Sequence, residues 1–338
     1  MIEPKFVNRE DELKALTKLA HQGSPSIFYI YGPEGCGKTR LLKEFIKRFD
    51  GIGIYIDALE EEKVDKALIF SPIPKETKNL ITSIFQQFAG PIGRYLSRRL
   101  WTILDKIAIE VKIQNRDLVI AIDDVTRAIG LNEIERYIKW LYELRSKIIE
   151  EYKPKSVLII ATTSEGYSLN RILRHTYNVT NLIWNLNREA HEELISQLNP
   201  PNQKVIDKVW ELTAGNPRCT IEIAHLYNWN IDNWLHKLKQ NLRDLANLLK
   251  TQNLTKEVLQ LIDEPDILDK EPTQKLRKAY EILLQQNLMI YTGITLLSSW
   301  IEKDASKKSI QPMPDLGIGK YYAWQIPAYR IVLKELLK

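Results

Sequence analysis

The chain has 338 residues, 44% hydrophobic and 27% charged, with a formal net charge of +5. That length accommodates two or three domains with cores of their own, and the composition excludes a disordered or fibrous chain. No apolar run approaches the roughly 20 residues that a bilayer span needs, and two cysteines, Cys36 and Cys219, exclude a disulfide framework or a Cys-rich zinc site. The opening MIEPKFVNREDEL lacks a basic region followed by an apolar stretch, so a cytoplasmic protein with no membrane partner is expected.

In chain order, the spacing of Leu13, Leu16 and Leu19 predicts a helix over 9–20. SIFYIY (26–31) predicts a buried strand, followed by a glycine-rich turn and a helix over 38–49. A strand is predicted at 53–57, a long helical stretch at 75–112 broken at Gly90-Pro91, and a strand at 118–122. Then come a helix at 133–150, a strand at 157–161, a short helix at 169–175 and a strand at 181–184. Near-continuous Ile/Val/Leu strands alternating with helices predict a five-stranded parallel sheet covered on both faces. From 187 the pattern is helical only, at 188–197, 205–212, 219–226 and 233–249. The tail predicts helices at 256–262 and 273–286, strand-like LMIYTG and YYAWQIP, and a closing helix at 328–337, the outline of a winged helix. These changes divide the chain into 1–187, an α/β domain, 188–250, a helical lid, and 251–338, a winged-helix-like domain.

Gly32-Pro33-Glu34-Gly35-Cys36-Gly37-Lys38-Thr39 fits the G-x-x-x-x-G-K-[ST] pattern between strand and helix, the context in which that turn cradles a polyphosphate. Glycines let successive N–H groups converge, the helix start adds its dipole, and Arg40 follows inside the first turn. Lys38 is the predicted bridge to the β- and γ-phosphates, and the Thr39 hydroxyl a ligand of Mg²⁺. LVIAIDD delivers Asp123 and Asp124 at the carboxyl end of a strand, the edge where open α/β sheets bind ligands. Asp123 is the second metal residue, and Asp124 the group that orients or deprotonates the attacking water. The polar end Thr162-Thr163-Ser164 offers a hydroxyl to the γ-phosphate, with Thr163 as the catalytic candidate.

Together these motifs resemble the archaeal ATPases of the STAND/AAA+ P-loop group, relatives of origin-recognition initiators. FVNREDEL (6–13) is similar to the opening signature of that group, which implies that Phe6, Val7 and Arg9 border the adenine. TAGNPRCTIEIA (213–224) resembles its G-x-P motif, which implies that Pro217 packs by the base and that Arg218 is a catalytic sensor arginine reaching the phosphates. A trans arginine finger, where one is used, would come from Arg171 or Arg174. The resemblance implies a P-loop NTPase fold, ATP rather than GTP, ATP/ADP with Mg²⁺ as cofactors, hydrolysis to ADP and phosphate, and nucleotide-dependent homo-oligomers. It leaves two outputs open for the tail: DNA, through wing lysines Lys303, Lys307 and Lys308, or a docked protein partner. The Arg94, Arg98, Arg99 and Trp101 patch reads as a solvated helix face.

Overall fold

The computed structural model describes residues 4–58, 68–71, 113–124, 134–163, 166–174, 176, 178–301 and 309–338. The helical stretch predicted at 75–112 with its arginine patch, the wing lysines and Ser164 lie outside these residues.

A six-stranded sheet organises the first half. Its strands are β1 (Ile27–Tyr31), β2 (Ile52–Asp57), β3 (Leu68–Ser71), β4 (Asp117–Asp123), β5 (Ser156–Thr163) and β6 (Asn178–Leu182). Their order is β3-β2-β4-β5-β1-β6, with every pair parallel except β2–β3. The five parallel strands are those read from the sequence; the antiparallel edge strand β3 is an addition that four residues, LIFS, do not announce. The last parallel strand starts earlier than its apolar residues suggest. It is polar Asn178, Val179, Thr180 and Asn181 that pair with β1.

Alternation along the strands builds two cores. Ile54, Ile120 and Ile159 face Ile138, Leu141 and Ile148 of α3 (Ile134–Tyr152). Phe28, Val119, Leu158 and Ile160 face Leu16 of α1 (Glu10–Gln22) and Leu41, Leu42 and Phe45 of α2 (Lys38–Arg48). Each such fully buried side chain contributes about 1.5–3 kcal/mol relative to exposure. A short helix α4 (Gly166–Ile172) follows β5.

Next come α5 (Arg188–Ser196), α6 (Gln203–Thr213), α7 (Pro217–His225) and α8 (Ile231–Thr251). An Asn caps each one. The side chains of Asn187, Asn202, Asn216 and Asn230 accept from the backbone N–H three residues on, and Pro217 occupies the first turn of α7, where its missing N–H costs nothing. Helix α8 serves two cores. Trp234 packs with Ile195, Val209 and Ile223 of the preceding helices, whereas Leu242, Leu245 and Leu249 join the core of the tail.

The tail holds α9 (Thr255–Asp263), α10 (Ile267–Lys270), α11 (Gln274–Gln285), an antiparallel pair β7 (Met289–Tyr291) and β8 (Tyr322–Trp324), and α12 (Pro327–Leu337). Part of the β7–β8 connection returns to the six-stranded sheet. Leu182 of β6 donates its N–H to Thr295 O at 2.9 Å and forms a parallel bridge with Leu296. Trp300 then meets Phe28 edge-on at 5.7 Å and donates Nε1–H to Asn181 Oδ1, while Lys18 Nζ donates to Trp300 O. This strap covers the otherwise open edge of β6, a place where unpaired backbone groups invite foreign strands.

Candidate functional site

The turn from Gly32 to Thr39 joins β1 to α2 at the carboxyl edge of the sheet. Gly35 and Gly37 take φ of +80° and +103°, conformations that other residues adopt at a cost. Lys38 is buried at the centre, where its Nζ donates to the carbonyls of Gly32 and Pro33, both at 2.9 Å. Thr39 is half-buried on the first turn of α2, and Arg40 donates to Pro4 O at 2.8 Å, tying the N-terminal segment to that helix.

Arg9 grips the same turn from outside. Held at φ 76° and buried, it donates Nη2–H to the carbonyls of Cys36 and Trp184 and pairs with Glu12 at 2.9 Å. The family resemblance implies a place for Arg9 beside a base; its described contacts pin the phosphate turn to the segment just after β6. Phe6 lies half-buried under the guanidinium of Arg48, and Val7 packs with Leu186, Ala190 and Leu194, so the segment bridges the sheet and α5.

Asp123 ends β4 with 2% exposure, on the sheet face that carries α2 and therefore Thr39. Both carboxylate oxygens are held by hydroxyls. Tyr55 Oη donates to Oδ2 at 2.9 Å, and Thr162 Oγ1 donates to Oδ1. Burial, then the charges of Asp123 and Asp57, push the Tyr55 phenol far above its usual range, so it remains a donor. Thr162 Oγ1 also accepts from the Asp124 N–H at 2.9 Å, and Asp124 takes a left-handed φ of 49° directly after the strand. Thr162 thus reaches both members of the acidic pair. Thr163, the residue singled out from the sequence, alternates toward the opposite face, where it is 1% exposed. An ionised carboxylate offers about four acceptor positions. Two are taken on Asp123, which leaves oxygen lone pairs suited, with the Thr39 hydroxyl, to a hard cation such as Mg²⁺.

The start of α7 meets the tip of the turn. Arg218 pairs with Glu34 at 2.8 Å, its N–H reaches Gly35 O, and a Cβ on Gly35 would come within 2.6 Å of Arg218 Cβ. Asn216 donates Nδ2–H to Glu34 O and to Asn185 Oδ1, both at 2.9 Å. Pro217 starts α7 beside it. The tail reaches the same residue: Gln325 Oε1 accepts from Glu34 N at 2.8 Å, and Gln325 O accepts from Asn185 Nδ2 at 2.9 Å. Leu284 of α11 seats on Gly166, the first residue of α4, so closely that a Cβ there would lie 2.2 Å from it. Tyr55, Asn185 and Gln325 were not singled out from the sequence, and Thr162 was named only within the polar strand end. Only Asn216, between Gly215 and Pro217, carries a local signal, that of a helix cap before proline.

Cys36 is buried and Cys219 partly so, and both are free thiols; burial pushes the Cys219 thiol up to about 12, which makes it a poor nucleophile. Among the described residues no group of three or more His, Cys, Asp or Glu is arranged to hold a metal, and no helix is long and apolar enough to cross a membrane.

A family of ATPase domains predominantly from Archaea matches residues 6–223. An uncharacterized ATP-binding protein of Methanocaldococcus jannaschii is 21% identical over 316 residues, covering 76% of this chain and 78% of its own length. A second from that organism is 22% identical over 335 residues, covering 84% and 91%. Among solved structures, the FIGL-1 AAA domain aligns with a TM-score of 0.37 at 15% identity, over 66% of this chain and 74% of that one. Thermotoga maritima RuvB gives 0.37 at 14% identity, over 85% and 90%. Likeness at that level carries nothing about function.

Proposed function

Since the chain belongs to the family of ATPase domains found predominantly in Archaea, we propose that it is an ATP-driven molecular switch that hydrolyses ATP and passes the state of the site to its C-terminal unit. In this reading residues 1–187 bind the nucleotide, 188–250 form the lid, and 251–338 form a winged-helix output unit. One observation carries it: Glu34, inside the phosphate turn, is bonded at once by Arg218 and Asn216 of the lid and by Gln325 of the tail. A rearrangement of the turn around phosphates therefore perturbs both.

Mg²⁺, held by Thr39 and Asp123, would neutralise charge on the β- and γ-phosphates. Lys38 would leave the Gly32 and Pro33 carbonyls for phosphate oxygens, which a flexible ammonium does without moving the backbone. Asp124, its N–H fixed by Thr162, would orient the attacking water, and Arg218 would exchange Glu34 for the γ-phosphate. Thr163 is retained as a polar group of the same strand end. Limited proteolysis of the tail with ADP and with a non-hydrolysable ATP analogue tests the switch. Wild type should give two digestion patterns and Lys38→Ala one; identical wild-type patterns refute it.

A second reading, a slowly hydrolysing scaffold whose tail docks a protein partner, is favoured over DNA binding by the strap at 294–301, which is committed to the sheet edge. Nucleotide-dependent self-assembly belongs to this reading, with Arg171 or Arg174 as a trans finger. A salt titration of DNA binding decides between them, since contact to phosphates gives a steep slope.

A further inference from the structure

We propose that Tyr55 is a positioning residue of the metal site, which holds the Asp123 carboxylate in the orientation that receives Mg²⁺. The proposal rests on the reading of Asp123 as a metal residue and extends it to a side chain on another strand.

The argument begins with register. Tyr55 of β2 pairs with Ala121 of β4, so Asp123 lies two residues further along the neighbouring strand and on the same face. That diagonal is about 7–8 Å between backbones, a span that an aromatic side chain crosses and a short hydroxyl does not. Tyr55 is fully buried, and its hydroxyl meets Asp123 Oδ2 at 2.9 Å, while Thr162 approaches Oδ1 from the strand on the other side. With a donor on each oxygen, rotation of the carboxylate about its Cβ–Cγ bond would break two charge-assisted hydrogen bonds at once. The carboxylate plane is therefore set before any cation arrives.

Two further observations separate this from a buried phenol that takes the nearest acceptor. Tyr137 is also buried, and its hydroxyl has no hydrogen-bond partner among the described residues, so this fold does not force every interior tyrosine onto a carboxylate. The Tyr55 ring is itself fixed, with Lys43 Nζ over it at 5.1 Å from the centroid. Lys43 is on α2, the helix that begins with Lys38 and Thr39. One side chain thus links the helix that carries one metal residue to the carboxylate that supplies the other. Groups that orient a ligand in this way typically change metal affinity 10–100-fold when removed.

The test is binding of a fluorescent ATP analogue by the full chain, first in EDTA and then along a Mg²⁺ titration. Tyr55→Phe should bind the analogue in EDTA as wild type does, yet need about ten-fold more Mg²⁺ for half its effect. Tyr137→Phe, the control for loss of a buried hydroxyl, should keep the wild-type midpoint. Equal midpoints for Tyr55→Phe and wild type overturn the proposal. A wild type indifferent to Mg²⁺ overturns the metal site, and the proposal with it. Should Tyr55→Phe not fold, 3-fluorotyrosine at position 55 of the otherwise native chain gives a second reading. Its ¹⁹F resonance should move when Mg²⁺ is added to the nucleotide complex, and an unmoved resonance overturns the proposal.

Discussion

Replacing Gln325 by Leu should uncouple the tail from the phosphate turn without weakening the fold. The side chain is 2% exposed, and its Oε1 accepts from Glu34 N at 2.8 Å. The backbone of Gln325 keeps its own bonds, from Asn185 and to Leu288, in either variant. Loss of the Oε1 bond costs about 1 kcal/mol, at the low end because Glu34 is half-exposed and its N–H can turn to water. Against this, Gln325 Nε2 is buried with no hydrogen-bond partner among the described residues. Removing an unsatisfied donor returns about 1–3 kcal/mol, so the two changes cancel or leave a small gain. Thermal melting reads the balance: a shift of about 2–4 °C accompanies each kcal/mol in domains of 150–250 residues, and less in longer chains. The variant should melt at or slightly above the wild-type temperature. In the same variant, the tail should lose its different protease patterns with ADP and with the ATP analogue. A fall of more than about 4 °C would make Gln325 a structural residue by the same relation, and a tail that still distinguishes the nucleotides would refute the coupling.

Three other outcomes follow from the geometry. Lys38→Ala removes the one ammonium buried in the turn and should weaken nucleotide binding about 100-fold, the scale of a charge-assisted bond of about 3 kcal/mol; a loss below three-fold in a fluorescence titration would contradict its role. Arg218→Ala should leave stability within about 0.5 kcal/mol, because its pair with Glu34 is solvent-exposed. It should nevertheless reduce the preference for ATP over ADP, and an unchanged ratio argues against a sensor. His191 is held by Thr220 at 3.0 Å in the interior, where burial and then the charge of Arg188 push its imidazole down to about 4. The unfolded chain takes up that proton near pH 6.5, so stability is full above 6.5 and falls as pH drops toward 4, by at most about 3 kcal/mol. Urea midpoints of wild type and His191→Gln should therefore diverge across this window, and parallel lines would refute the assignment.

How much of this was legible depends on distance along the chain. The phosphate turn was, because its chemistry is local: three glycines, a lysine and a threonine between a buried strand and an amphipathic helix leave few other uses. Asp123 and Asp124 were legible for the same reason, as a carboxylate pair at the end of an apolar run. The choice between Thr162 and Thr163 was not. β5 is buried on both faces, so no polar–apolar alternation marks its phase, and only pairing with β4 and β1 decides which hydroxyl meets Asp123. β3 went unread because four residues at a sheet edge carry too little pattern. The start of β6 was missed because its residues are half-buried and mostly polar.

By itself, then, the sequence determined that a parallel sheet presents a phosphate turn and an acidic pair at one edge, since backbone conformation and short-range spacing suffice for both. The tertiary structure alone decided what surrounds them. Tyr55 and Asp123 are 68 residues apart, and Glu34 and Gln325 are 291 apart. Such contacts arise when strand order and packing close long loops, and neither leaves a mark on any local stretch of residues.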